Sequence, residues 1–393
     1  MMMSDKKTIG AIIPVMLGFF VMGFCDIVGI SSDYAKEAFG WSNTMAGLIP
    51  SMVFVWFLFL GIPVGIKMNK WGRKNTVLLS MVVTIIGMIF PIINYNTVTC
   101  MLAYALLGIG NAILQVSLNP LLNNVVTSKA LLTSSLTAGQ VVKAVSSFVG
   151  PYIVLFAVNY LGHGDTQLWY YCFPILGAIT LVAAVWLLLT PIERETNDRT
   201  DAKISETFSL LTDRKILLLF LGIFFVVGVD VATNFTSSKL MISRFGWTKS
   251  EAGLAPQIYF ISRTAGALIG VFVMTHMKEI KYFKANIIVC IAALLALAFV
   301  SDEIVDLVCI GGVGFLCSCI FPIIFSMAVQ EMPDKANLIS GLMITAVAGG
   351  GAVTPVIGLA TDAVGIIGGV LVILLCVLYL TYCAFYVKVS QKE

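Results

Sequence analysis

Charge is what this sequence has least of. Only 11% of its 393 residues are Asp, Glu, Lys or Arg, against about 25% in a soluble globular domain. So few charges cannot coat a water-facing surface of this size, and a soluble enzyme or binding module is excluded. Histidine is nearly missing too: His163 and His276 are the only two. No HExxH, GxSxG or P-loop pattern occurs, which argues against a membrane-embedded hydrolase, a zinc enzyme or an ATP-driven pump. The nine cysteines (25, 100, 172, 290, 309, 317, 319, 376 and 383) contain no CxxC pair and no Cys/His cluster. They read as small hydrophobes inside helices, so no metal, cofactor or disulfide framework is expected. The net charge of +3 is spread over short loops, not gathered in a stripe. A nucleic-acid partner is therefore not expected. The lack of a long polar domain speaks against a receptor.

Apolar residues are what is there, at 59%, and they come in long runs. A helix needs roughly 20 apolar residues to cross about 30 Å of hydrocarbon. The runs predict twelve spans at about 8–31, 44–66, 76–93, 98–122, 133–158, 168–190, 215–238, 251–277, 284–300, 303–328, 336–360 and 364–387. The longest polar stretch, 191–214, is predicted to be a linker between two sets of six, 1–190 and 215–393. MMMSDKK followed by an apolar run shows no small-residue cleavage site, so it reads as a retained first helix and not a signal peptide. Lys and Arg concentrate on one side, for example Lys6, Lys7, Lys67, Lys70, Arg73, Lys74 and Arg194. The other side holds only Lys36, Lys239, Arg244 and Lys249. By the positive-inside rule both termini are cytoplasmic, which fits an inner-membrane protein.

The two halves repeat. Near span 1 the chain reads LGFFVMGFCD and then FGWSNTMAGL; near span 7 it reads LGIFFVVGVD and then FGWTKSEAGL. Parallel repeats of six-helix halves mark one class of secondary transporter, which binds its solute near the membrane midplane. The expected fold is an all-α membrane protein with 12 transmembrane helices in two pseudo-symmetric six-helix bundles.

The loop GIKMNKWGRK (Gly65 to Lys74) resembles the signature loop of the major facilitator superfamily, with Asn69 where that loop has an acid. GFCDIVGI in span 1, GIGNAILQVSLNP in span 4, CIFPIIFSMAV in span 10 and LMITAVAGGGAVTPVIGLATDAVG in span 11 resemble the fucose permease branch of that superfamily. The resemblance implies the major facilitator fold, proton-coupled sugar uptake and a monomer. It also implies that Asp26 stands where the branch has an acid tied to binding and coupling. Two positions depart: Gln115 replaces a Glu in span 4, and Lys143 replaces an Asn in span 5.

An ionisable side chain at mid-membrane costs about 2.5–3.5 kcal/mol on insertion scales, so it faces a cavity or a partner. Four stand out: Asp26 and Lys143 in the first half, Asp230 and Arg263 in the second. The expectation is one acid–base pair per half, lining a central cavity, with Asp26 and Asp230 as candidates for proton coupling. The alternative is a structural clamp in each half. Asn111, Gln115 and Asn119 recur every four residues on one face of span 4. Such amides suit sugar hydroxyls, since each both donates and accepts; helix–helix hydrogen bonding is the alternative. Gln140, Asn234 and Tyr259 join them as candidate substrate contacts, with Trp56 as a further aromatic. Gly349 to Gly351 with Pro355, and Gly150-Pro151, are expected to bend their helices or let a neighbour come close. Lys143 and Arg263 are permanent cations that suit an anionic group. The sequence therefore points to a proton symporter for an acidic sugar, such as sialic acid or a hexuronate. The alternative is a neutral hexose or fucose, and efflux of drugs or metabolites by the same fold is a third reading.

Overall fold

The structure, a computed structural model, describes residues 2–41, 43–126, 129–195, 203–247, 249–252 and 254–387. The described residues are overwhelmingly helical, as hydrocarbon demands: no water is present to satisfy a free backbone N–H or C=O, so the chain must satisfy them itself. Twelve elements carry the apolar runs. They are α1 (Met2–Met22), α2 (Asn43–Trp71), α3 (Arg73–Ile93), α4 (Thr97–Val125), α5 (Lys129–Phe156) and α6 (Cys172–Leu189). Then follow α7 (Arg214–Phe245), α8 (Leu254–His276), α9 (Glu279–Phe299), α10 (Glu303–Cys317, resumed at Ile320–Glu331), α11 (Ala336–Thr345, resumed at Gly349–Val364) and α12 (Ile366–Tyr386). Eleven of these segments are long and apolar enough to cross a membrane among the described residues, and α1 supplies a shorter apolar helix, Gly10–Cys25. The chain is thus a multi-pass membrane protein.

Of the two roles left open for the glycine–proline sites, a bend or a close approach, the structure shows the second at the α11 glycines. Gly150-Pro151 lies within continuous α5, and the looser turn Ala157–Leu161 begins only after Phe156. In α11 the irregular turn is Ala346–Ala348, ahead of the glycines, and the helix then runs unbroken past position 355. The glycines serve close approach. A Cβ on Gly349 would fall 2.8 Å from the Phe224 Cα of α7, and one on Gly350 would fall 2.9 Å from Val231.

The chain forms two compact units. One comprises Met1–Ser128, Gly139–Thr207 and Ala336–Thr345; the other comprises Lys129–Ala138, Phe208–Lys335 and Ala346–Glu393. Within the first, α4 is buried along most of its length. Its Gly108 meets α2 so closely that a Cβ would fall 2.6 Å from the Val53 Cα. Ala336–Thr345 joins this unit through Gly341, whose Cβ would fall 3.1 Å from the Gly65 Cα, and through Ser340 Oγ donating to Val116 O at 2.6 Å. Arg73 ties the same region together. Its Nε donates to Asn337 Oδ1 at 2.8 Å, its Nη1 to Pro120 O at 3.1 Å, and its backbone N–H to Glu195 Oε1 at 2.8 Å. Asn69, where the signature loop has an acid, accepts from Asn337 Nδ2 at 2.9 Å.

In the second unit, Thr133 at the start of α5 bonds to the Glu279 carboxylate and to Ser326 Oγ, the latter at 2.7 Å. At the other end, Arg244 in the last turn of α7 binds Asp306 of α10. Its Nη1 lies 2.7 Å from Asp306 Oδ2 and also donates to Val300 O at 3.1 Å, and its Nη2 donates to Ala298 O at 3.3 Å.

Candidate transport sites

In the first unit the candidate residues gather around a break in α1. The α-helix stops at Met22, and Gly23–Ile27 continues as a 3-10 turn that carries Asp26. The Met22 carbonyl accepts from Asn111 Nδ2 of α4 at 2.7 Å and from Cys25 Sγ at 3.2 Å. Gly23 lets α5 come up against the break: a Cβ there would fall 2.6 Å from both the Lys143 carbonyl oxygen and Ser146 Cβ. One turn earlier, Gly139 sits against the face of Phe19, where a Cβ would be 2.7 Å from the ring. Gln140 and Lys143, three residues apart on one helical face, are both half-buried. The Asp26 side chain lies outside the described residues.

The amides of α4 form a ladder. Gln115 Nε2 donates to Asn111 Oδ1 at 2.9 Å, and Asn119 Nδ2 donates to Gln115 O at 3.0 Å. One N–H of each amide is thereby engaged within α4 or against α1. Acceptor capacity is left over: Asn119 Oδ1 is buried without a hydrogen-bond partner among the described residues. The Trp56 indole N–H is likewise buried without one.

In the second unit, α7 and α8 build a triad. Arg263 Nη2 stands 3.1 Å from Asp230 Oδ2, and the Tyr259 hydroxyl donates to Asp230 Oδ1 at 2.5 Å. Tyr259 and Arg263 are four residues apart on α8, so both reach one carboxylate from the same face. The phenol is fully buried, while the Asp230 and Arg263 side chains retain 26% and 39% exposure. The ion pair is therefore accessible from one side and backed by a closed phenol on the other. Asn234, one turn beyond Asp230, is half-buried, and its carbonyl accepts from Ser237 Oγ at 2.8 Å.

Three polar contacts went unread in the sequence. Arg244 counted only as a loop cation, yet it closes a buried pair with Asp306. Arg73 was read as part of a motif, and Glu279 was not singled out. The acids at the start of α10, Asp302, Glu303 and Asp306, were the available signal for the first of these.

A family model describing the Major Facilitator Superfamily matches residues 14–355. This chain belongs to the Major Facilitator Superfamily. Among relatives of this major facilitator protein, a glucose/galactose transporter of Brucella abortus (strain 9-941) is 25% identical over 99% of this chain and 96% of that protein. A putative glucose/galactose transporter of Helicobacter pylori (strain 26695) is 25% identical over 88% of this chain and 87% of its own length. The crystal structure of FucP in the outward conformation, itself a major facilitator transporter, superposes with a TM-score of 0.82 at 21% identity. That match covers 95% of this chain and 98% of FucP, and it establishes the fold. The superfamily is the one that the Gly65–Lys74 loop resembles, and its fucose permease-like branch is the one read from the motifs of spans 1, 4, 10 and 11.

Proposed function

We propose that this protein is a proton-coupled importer of a neutral monosaccharide of the glucose, galactose or fucose type. The observation that carries the reading is similarity over 88–99% of this chain to proteins named as glucose/galactose transporters, one of them as putative. Similarity to the L-fucose-proton symporter of Escherichia coli, 23% identical over 84% of this chain, supports the coupling ion. An acidic sugar, the first expectation from Lys143 and Arg263, finds no support in these relatives. Geometry adds a reason: Arg263 is already paired with Asp230, so its charge is not standing free for a substrate carboxylate.

In this reading Lys143, Gln140 and the left-over acceptors of Gln115 and Asn119 contact sugar hydroxyls, while Asn111, bound to α1 and to Gln115, holds the ladder in place. Asp230, with Asp26 in the first half, takes the proton. Protonation of Asp230 removes the charge that holds Arg263 and frees guanidinium N–H groups for the sugar. Tyr259 and Asn234 position that acid and line its approach. The protein sits in the inner membrane as a monomer, both termini in the cytoplasm, with 1–190 and 215–393 as the transporting halves around linker 191–214.

Competition for labelled D-galactose uptake tests the substrate class. Unlabelled D-glucose and D-galactose or L-fucose should inhibit at low millimolar excess, while glucuronate and N-acetylneuraminate should not. Inhibition by the two acids alone would return the reading to acidic sugars.

A further inference from the structure

We propose that a groove at the α2–α3 turn binds the phosphate headgroup of an anionic phospholipid. The groove has a volume of about 410 Å³ and is lined by Lys70, Trp71, Asn75, Leu79 and Arg194. None of its lining residues belongs to either candidate transport cluster.

The chain builds it from three pieces. Lys70 and Trp71 end α2, Gly72 turns the backbone at φ 83°, and Asn75 and Leu79 belong to the first turns of α3. Arg194 arrives from the stretch after α6. It is anchored there: its Nη2 donates to Lys70 O at 2.6 Å, and a Cβ on Gly72 would lie 3.4 Å from its Nε. A side chain at position 72 would strain the turn, because the backbone there lies in the left-handed region that favours glycine.

The charge is left positive. The acid beside Arg194, Glu195, is drawn away, accepting from the Arg73 backbone N–H at 2.8 Å and from Asn124 Nδ2 at 3.3 Å. Glu193 is exposed, and its carbonyl is bound by Asn124 Nδ2 at 3.1 Å. Lys74, next along α3, spends its ammonium on the carbonyls of Leu188 and Thr190, at 3.0 and 2.8 Å. Lys70 and Arg194 therefore present an ammonium and a guanidinium at one mouth, the pair of donors that a phosphodiester monoanion takes in charge-assisted bonds. Asn75 adds an amide whose Nδ2 is already held on Trp71 O at 3.0 Å, leaving its carbonyl for a glycerol hydroxyl.

The floor distinguishes a lipid from a free anion. Trp71 and Leu79 keep 39% and 38% of their surface exposed beside the two cations. Leu79 lies one turn beyond Asn75, about 6 Å further along α3. The groove thus grades from basic to apolar along a membrane-crossing helix, with an indole at the changeover. Tryptophan favours that depth in a bilayer. A soluble phosphate would use the cations alone; a phospholipid uses the cations, the indole and the leucine together.

The test uses the full-length carrier. Native mass spectrometry would compare retention of dioleoylphosphatidylglycerol and dioleoylphosphatidylcholine by the wild type and by the double variant Lys70→Gln, Arg194→Gln. The expected result is selective retention of phosphatidylglycerol by the wild type and a loss of about tenfold or more in the variant, with millimolar glycerol 1-phosphate unable to displace the lipid. Equal retention by the variant, or displacement by glycerol 1-phosphate, overturns the proposal; displacement would mark a free-phosphate site. A second readout needs no change to the cations. Phosphatidylglycerol with brominated acyl chains should quench the fluorescence of Trp71, seen as a component missing from Trp71→Phe. Identical quenching in the two proteins would also overturn it.

Discussion

Asp230→Asn is expected to abolish concentrative sugar uptake while leaving exchange of sugar across the membrane in place. The asparagine keeps the shape of the side chain, and its carbonyl can still accept from the Tyr259 hydroxyl, now at 2.5 Å from Asp230. It loses the charge that faces Arg263 at 3.1 Å and the ability to carry a proton. A proton gradient of one pH unit supplies about 1.4 kcal/mol per proton, enough for roughly tenfold accumulation of a neutral solute at one proton per sugar. The variant should fall to no accumulation, with counterflow of preloaded galactose retained. Tenfold accumulation by Asp230→Asn would remove this acid from coupling and leave Asp26 as the candidate. Loss of counterflow as well would assign the triad to binding or folding, the clamp reading that the sequence left open.

The largest effect on stability is expected at Arg244. Asp306 has no exposed side-chain surface and Arg244 only 8%, so Arg244→Ala strands a carboxylate away from water. It also strips hydrogen bonds from Val300 O and Ala298 O. Removing one partner of a buried pair costs about 3–5 kcal/mol, whereas replacing both by apolar groups is often close to neutral. Arg244→Ala should therefore lower the thermal unfolding temperature of the purified protein sharply. Arg244→Met combined with Asp306→Leu should recover most of the loss. A single-variant cost below about 1 kcal/mol, the range of a solvent-exposed pair, would contradict a buried clamp between α7 and α10.

The membrane helices were legible because hydrocarbon imposes one rule on the whole length of each span, and the apolar runs obey it. The α7–α8 acid and base were legible for the converse reason: an ionisable group in such a run needs a cause. Contacts between distant positions were not legible. Arg244 and Asp306 are 62 residues apart, and Arg73 and Asn337 are 264 apart. Nothing local to either partner names the other. The glycine–proline sites left a bend and a close approach both open, and the α11 glycines take the second, in contact with α7. Local pattern does not choose between the two, and Gly150-Pro151 sits inside continuous α5. The ladder on α4 shows the same limit. Four-residue spacing placed Asn111, Gln115 and Asn119 on one face, but only the fold shows that Asn111 spends its amide donor on the carbonyl freed where α1 breaks. The cationic character of Lys143 and Arg263 suggested an anionic sugar even with the Asp230–Arg263 pair expected, and the relatives, named for glucose and galactose transport, give that suggestion no support.

Proton movement driven by sugar is the most direct test. Purified protein in proteoliposomes without an imposed gradient should respond to external D-galactose by drawing protons inward, read as acidification of a trapped pH dye that saturates with galactose concentration. Galactose entry with no change in internal pH, or no galactose entry at all, would contradict a proton-coupled carrier of neutral sugars.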